Sequence, residues 1–277
     1  MDEAEQTRTI VAIVREGDPD RYLATLFASS SARDDLFALY ALNVELARIG
    51  ERVSEPDLGK ITLQWWRDAL ARAATGEATA SPVADAIGSL LQHHPGAAEP
   101  IRRMIDAREF DIAVKIMPDM AALDAYLDAT AGSLFAAAVT IGGGDADRLQ
   151  SLYAEAGHAY GLTGLMRSLP VHAALERCDL PDDLLCRQGT SAAAILAGKA
   201  SPGLASVLTE LRGKAQVSLE QAERKLAKLP ARERKFFLPL ALVRPYLASL
   251  AKVASDPFRF VSTINPLYRL WRLATWR

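Results

Sequence analysis

The chain has 277 residues, half of them apolar, and a net charge of −2. That content suffices for one large core or two small ones, and no low-complexity linker separates the halves, so one domain over residues 1–277 is expected. Two cysteines, Cys178 and Cys186, make neither a disulfide framework nor a CxxC zinc pattern, and the acidic start (Asp2, Glu3, Glu5) has no apolar signal region.

Helical periodicity dominates. Asp18-Pro19-Asp20 reads as an N-cap followed by Pro at the first helical position. A second start is expected where Ser31 precedes Asp34. Leu36, Phe37, Tyr40, Ala41, Val44 and Ala47 recur at spacings of three and four, which is one helix face. Ile61, Trp65, Ala69 and Leu70 repeat the pattern. Breaks are expected near 76–81 and 94–99, with His93 and His94 as exposed cap residues at a helix end. Asp119 precedes a helical segment over 121–138. Gly142-Gly143-Gly144-Asp145 reads as a stop, a turn and the next cap; no Lys-Ser/Thr follows it, which excludes a P-loop. A longer loop is expected over 170–189, with Pro170 breaking the preceding helix. Further breaks fall at 198–203 and Pro230. Leu204, Val207, Leu208, Leu211, Ala215, Leu219, Ala222 and Leu226 form a stripe of more than five turns. Period-two alternation is missing and no run reaches the roughly 18 apolar residues of a spanning helix. The expected fold is all-α, about ten helices with no sheet.

Several segments carry a resemblance. Asp20-Arg21-Tyr22-Leu23-Ala24, Trp66-Arg67-Asp68, Tyr126 through Ala131-Gly132-Ser133, and Arg177-Cys178-Asp179-Leu180-Pro181 resemble, in order, segments of the squalene/phytoene synthase family. The resemblance implies a helical bundle of the isoprenoid-synthase type with a central cavity. Its enzymes join two prenyl diphosphates head to head, and two aspartate motifs on facing helices hold the Mg²⁺ ions that neutralise the departing diphosphate. Carboxylates four apart lie on one helix face and can converge on such ions. In this chain the first-motif positions hold Ala47, Arg48 and Glu51, and the second-motif positions hold Ser168 and His172. Of five expected carboxylates only Glu51 remains, and Arg48 brings a cation to a place meant for one. The resemblance is nearer still to the branch that includes the mitochondrial complex I assembly factor related to these synthases, through Asn43-Val44-Glu45-Leu46-Ala47, Val53-Ser54-Glu55 and Gln64-Trp65-Trp66.

The function this implies is non-catalytic: complex I assembly or membrane-associated prenyl or lipid binding, with a protein client, no metal, no cofactor and no nucleic acid. The alternative is a Mg²⁺-dependent head-to-head prenyl diphosphate synthase with a divergent site; convergence of Glu51, Asp106, Asp111 and Asp128 on one cavity would favour it. Tyr40, Arg48, Arg167 and Arg177 are candidates for a phosphate or cavity lining, since arginine holds phosphate without metal; pairing of the arginines with Glu45, Glu51 or Asp179 is the competing reading. His172 is expected as a solvent-facing loop residue, with a general base as its alternative. Charge is uneven: Leu211–Arg277 carries 14 Lys and Arg against 4 Asp and Glu, a net +10, which leaves −12 for the rest. The segment 266–277, with three Arg, two Trp and no acid, places Leu267, Leu270, Trp271 and Ala274 on one helix face. It is expected either to meet an anionic membrane surface or to pack on the body. The expected location is cytoplasmic, peripheral on the inner face of the membrane.

Overall fold

The structure, a computed structural model, describes residues 2–52, 55–113, 116–259 and 262–276, and of Glu3 and Glu51 the backbone alone. Val53, Ser54 and Arg277 lie outside the described residues. The first half runs α1 (Glu3–Gly17), α2 (Pro19–Thr25), α3 (Ser30–Arg52), α4 (Pro56–Ala74), α5 (Pro82–His93), α6 (Ala98–Ala107) and α7 (Glu109–Ala113). Then come α8 (Met120–Leu127), a π turn over Asp128–Gly132, α9 (Ser133–Ile141) and α10 (Gln150–Ala174). The chain closes with α11 (Asp182–Arg187), α12 (Ala192–Leu196), α13 (Pro202–Leu226), α14 (Ala231–Arg234), a 3₁₀ stretch Lys235–Leu242, α15 (Val243–Val253) and α16 (Pro266–Thr275). The only strand-like pairing among the described residues is the isolated bridge between Ile116 and Cys178.

Side-chain caps set many of these starts. The carboxylate of Asp18 accepts from the Arg21 amide (3.0 Å) and that of Asp119 from the Ala122 amide (2.8 Å), each satisfying a backbone donor with no intrahelical partner. Ser201 and Asn265 do the same for α13 and α16. Helix α3 is buried without interruption from Leu36 to Leu42, so it is the central column of the first half, against α1, α5 and α9. In the second half α10 and α13 pack along their lengths, and every position of the stripe Leu204–Leu226 is buried.

Three expectations change. The buried face of α4 is Leu63, Trp66, Ala69, Leu70 and Ala73, whereas Ile61 and Trp65 are exposed, because Trp66 rather than Trp65 sets the register toward the core. Helix α10 continues through Pro170 to Ala174. Proline removes one ladder donor and ordinarily costs ~3 kcal/mol, but Leu169 and Ala173 on either side of it are buried and hold the last turns in place. The expected loop over 170–189 is therefore confined to 175–181 and the turn after α11. Residues 231–253 are long and apolar enough by length and composition to cross a membrane, yet Phe237–Val243 is buried inside the protein.

Helix α16 rests on the 3₁₀ stretch and on α2, with Leu273 buried. Its arginines turn inward, contrary to a headgroup-facing role. Arg269 Nε lies 3.1 Å from the buried Asp20 carboxylate, and Arg272 donates to the Ala241 carbonyl. The physical reason is Asp20, only 3 % exposed, which also accepts from the Tyr246 hydroxyl (3.0 Å) and from Arg167 (3.4 Å). A buried carboxylate requires such partners. What α16 shows to solvent is Leu267, Tyr268, Leu270 and Trp271, with the Tyr268 and Trp271 rings stacked.

Candidate functional site

A cavity of about 250 Å³ opens between the C-terminal half of α3, the α8–π turn–α9 segment and the middle of α10. Its α3 wall holds Asn43 and Ala47; its α10 wall holds Tyr160, Gly161, Gly164, Leu165, Ser168 and His172. Arg21, Arg108, Tyr126, Thr130 and Arg177 complete the polar lining, and Leu127 and Leu134 the apolar one. Small residues let these walls meet. A Cβ on Gly157 would sit 2.5 Å from the Gly132 amide nitrogen, so α10 comes this close to the π turn only because residue 157 is glycine. A Cβ on Gly164 meets nothing within 4 Å.

The cations of the cavity carry their own counterions. Arg21 is buried, pairs with Asp18 (2.6 Å), and stacks 4.3 Å from the Tyr160 ring and 5.6 Å from Tyr40. Arg108 donates to Asp111 (2.9 Å), to the Tyr126 hydroxyl (3.0 Å) and to the Asn43 side-chain oxygen (3.3 Å). Arg177 Nε lies 2.9 Å from Asp179, and a second nitrogen lies 3.7 Å from Asp111. Tyr126 donates to Asp111 (2.8 Å), and His172 Nδ1 is hydrogen-bonded to Asp179. Burial pushes the Tyr126 phenol far above its ordinary value and the Tyr40 phenol up to about 12. Burial would also raise Asp179, but the bonds from His172 and the charge of Arg177 outweigh it and hold that carboxyl below its usual range.

The candidate residues divide across this site. Ala47, Ser168, His172 and Arg177 line the cavity together, so α3 and α10 face one another across it. Arg48 pairs with Glu45 (3.4 Å) away from the lining. Tyr40 is buried beneath Arg21, and Arg167 stacks 3.5 Å from the Tyr246 ring beside Asp20. His172 is not a loop residue: α10 carries it past Pro170, and its side chain is 12 % exposed. The Glu51 side chain lies outside the described residues. The other three carboxylates proposed for a substitute metal site point to different partners. Asp106 binds Arg67 and Arg102, Asp111 binds Arg108 and Tyr126, and Asp128 lies 3.1 Å from His158. Among the described residues no carboxylate lines the cavity, and no group of three His, Cys, Asp or Glu suited to a metal occurs. Mg²⁺ takes carboxylate and water oxygens in octahedral array, and the described lining does not offer that set.

Sequence reasoning missed Arg108 altogether and treated Arg21 and Tyr126 only as parts of longer segments. Arg108-x-x-Asp111 at one-turn spacing is the signal that pointed to a paired buried cation.

The squalene/phytoene synthase model matches residues 14–274. The chain belongs to the squalene/phytoene synthase family. Among its relatives is NADH dehydrogenase (ubiquinone) complex I, assembly factor 6, of Bos taurus, 26 % identical over 91 % of this chain and 75 % of the relative. Presqualene diphosphate synthase of Rhodopseudomonas palustris is 28 % identical over 84 % of this chain and 86 % of the enzyme. The fold is the all-α isoprenoid-synthase type. The crystal structure of squalene synthase HpnC from Alicyclobacillus acidocaldarius superposes with a TM-score of 0.79 at 21 % identity, covering 92 % of this chain and 96 % of that one.

Proposed function

We propose that this family member is non-catalytic and serves complex I assembly at a membrane surface. The carrying observation is the cavity lining, in which no carboxylate faces the space among the described residues and the arginines are already neutralised by Asp18, Asp111 and Asp179. Ionising an allylic diphosphate requires metal-held charge neutralisation, and Ala47, Arg48, Ser168 and His172 stand where the family's ligands are expected. The cavity supports the same reading: about 250 Å³ lies below the ~300–1,000 Å³ usual for small-molecule sites, so two prenyl diphosphates do not fit together. Similarity to assembly factor 6 over nine-tenths of the chain supports the assembly role.

The membrane contact is assigned to α16. Its outward Leu267, Leu270, Tyr268 and Trp271 suit the bilayer interface, where amphipathic aromatic rings collect. Leu211–Arg277 stays strongly basic, at +8, when the inward-turned Arg269 and Arg272 are left out of its net +10, which suits an anionic surface and a place on its inner face.

A Mg²⁺-dependent head-to-head synthase is the second reading, favoured by the similarity to presqualene diphosphate synthase. One assay separates the two. The purified chain is incubated with farnesyl and geranylgeranyl diphosphates plus Mg²⁺ and released diphosphate is measured. No release above the buffer rate is expected; turnover overturns the non-catalytic reading. Deleting the gene in its host is expected to lower the amount of assembled complex I in native gels, and an unchanged amount removes the assembly role.

A further inference from the structure

We infer that a second cavity holds a phosphate group between Ser29, Arg232 and Lys235. It shares no lining residue with the α3–α10 cavity. Ser29 precedes the start of α3, whereas Asn43 of the first cavity stands 13 residues into that helix, ~20 Å along its axis. The inference is independent of the reading given to the first cavity.

Three segments enclose a space of about 260 Å³: the turn before α3 with Ser29, the glycine turn after α9, and the chain from α14 into the 3₁₀ stretch. Backbone contacts fix these walls. Arg33 donates to the Leu26 and Ala28 carbonyls (3.3 and 3.1 Å), which pins the turn that carries Ser29. A Cβ on Gly142 would overlap the Phe236 ring, so the glycine turn closes directly onto the 3₁₀ stretch. The next residue, Gly143, turns the chain with a φ of +71°, a conformation that favours glycine.

The charges here are left over, which is the reverse of the first cavity, where Arg21, Arg108 and Arg177 each pair with an aspartate. The one acid of the lining, Glu233, is engaged by Arg148. Arg232 and Lys235 are exposed, and among the described residues neither makes an ion pair or a hydrogen bond. They stand three residues apart, about one helical turn, where like charges repel. The repulsion is not local to the two: Arg224–Lys235 carries six Lys and Arg against one Glu, a net +5. Solvated cations on a convex surface need no ligand. These two share a concave wall with a hydroxyl, and one anion between them relieves the repulsion.

Phosphate chemistry fits that set. A guanidinium fork takes two phosphate oxygens, the lysine ammonium takes a third as a point charge, and the Ser29 hydroxyl is a further donor. A phosphomonoester brings three acceptor oxygens and close to two negative charges at neutral pH, against two oxygens and one charge for a carboxylate. The group comes either from a soluble phosphate or from a lipid headgroup. Phe27, adjacent to Ala28 of the lining, packs on the apolar cluster that includes Leu273 of α16, so the cavity neighbours the helix assigned to the membrane.

The test uses the full chain in two arms: isothermal titration with inorganic phosphate, and co-sedimentation with phosphatidylcholine vesicles with and without phosphatidic acid. Arg232→Gln/Lys235→Gln removes the cavity cations. Arg212→Gln/Lys214→Gln on α13 removes the same two charges outside the lining and serves as the control. Phosphate is expected to bind the parent saturably at one site. The cavity variant is expected to weaken it by about tenfold or more at an unchanged thermal midpoint, with the control within about twofold of the parent. Ser29→Ala is expected to give a smaller loss in the same direction. If phosphatidic acid binding also falls in the cavity variant and not in the control, the group belongs to a lipid headgroup. If only the phosphate titration separates the two variants, it belongs to a soluble compound. If neither arm separates the cavity variant from the control, the inference is overturned. The turnover assay with prenyl diphosphates reads the first cavity alone, so failure there leaves this result untouched.

Discussion

Asp179→Asn tests the electrostatic account of the site. Asp179 is 7 % exposed, lies 2.9 Å from Arg177 Nε and accepts from His172. Removing one member of a buried ion pair usually costs ~3–5 kcal/mol, because the other charge is stranded. Arg177 keeps Asp111 at 3.7 Å, so the lower end applies, about 3 kcal/mol. At ~2–4 °C per kcal/mol for a chain of this size class, the midpoint falls by about 6–12 °C. Urea unfolding followed by far-UV circular dichroism at pH 7 measures the loss. Its pH dependence has a defined sign. The Asp179 carboxyl is held below its ordinary value by His172 and Arg177, against burial. Its contribution is therefore complete above the unfolded-state value near ~3.9 and lost as pH falls through the lower folded value. The gap between parent and variant is expected to narrow below about pH 4. A loss under ~1 kcal/mol at neutral pH, the scale of an exposed pair, or a gap that widens on acidification, refutes the reasoning.

Two glycines of α10 are expected to respond in opposite directions. Gly157→Ala forces a Cβ to 2.5 Å from the Gly132 nitrogen and is expected to destabilise by ~1–3 kcal/mol or more through overpacking. Gly164→Ala meets open space and is expected to stabilise by ~0.5–1 kcal/mol through helix propensity; denaturant melts of both check the pair. Trp271→Glu, on the exposed face of α16, is expected to abolish co-sedimentation with anionic vesicles at an unchanged thermal midpoint, and retained binding removes α16 as the membrane contact. Leu273→Ala, at a position 2 % exposed, is expected to cost ~2–4 kcal/mol and to speed proteolytic removal of α16; cleavage at the parental rate counts against its anchoring role.

The sequence disclosed what is local. The Asp18-Pro19 cap, the Asp119 cap and the Leu204–Leu226 stripe each depend on residues within a few turns, and each stands as the pattern indicates. The α4 register was misread because Trp65 and Trp66 are adjacent, and periodicity alone does not say which of two neighbouring tryptophans faces inward. Pro170 was read by its intrinsic penalty, which tertiary packing of α10 overrides. At the site, Ala47, Ser168 and His172 were singled out one by one from the sequence, and all three line the cavity. The acids that pair with the cavity arginines lie two or three residues away in sequence, whereas the bonds of Arg108 to Asn43, 65 residues away, and to Tyr126, 18 residues away, were not legible because they form only after folding. The inward turn of Arg269 was hidden for the same reason: an amphipathic helix drawn alone shows three arginines, and only Asp20 says where one of them goes.

That acid has a temporal consequence. Asp20 is synthesised early, whereas Tyr246 follows 226 residues later and Arg269 later still. Until both emerge from the ribosome, the nascent protein holds an anion whose eventual burial place lacks two of its donors, and contacts this distant in sequence form slowly. Completion of the last helix thus acts as a latch on the first ones, and a message truncated just before Pro266 would yield a product that never fully shuts.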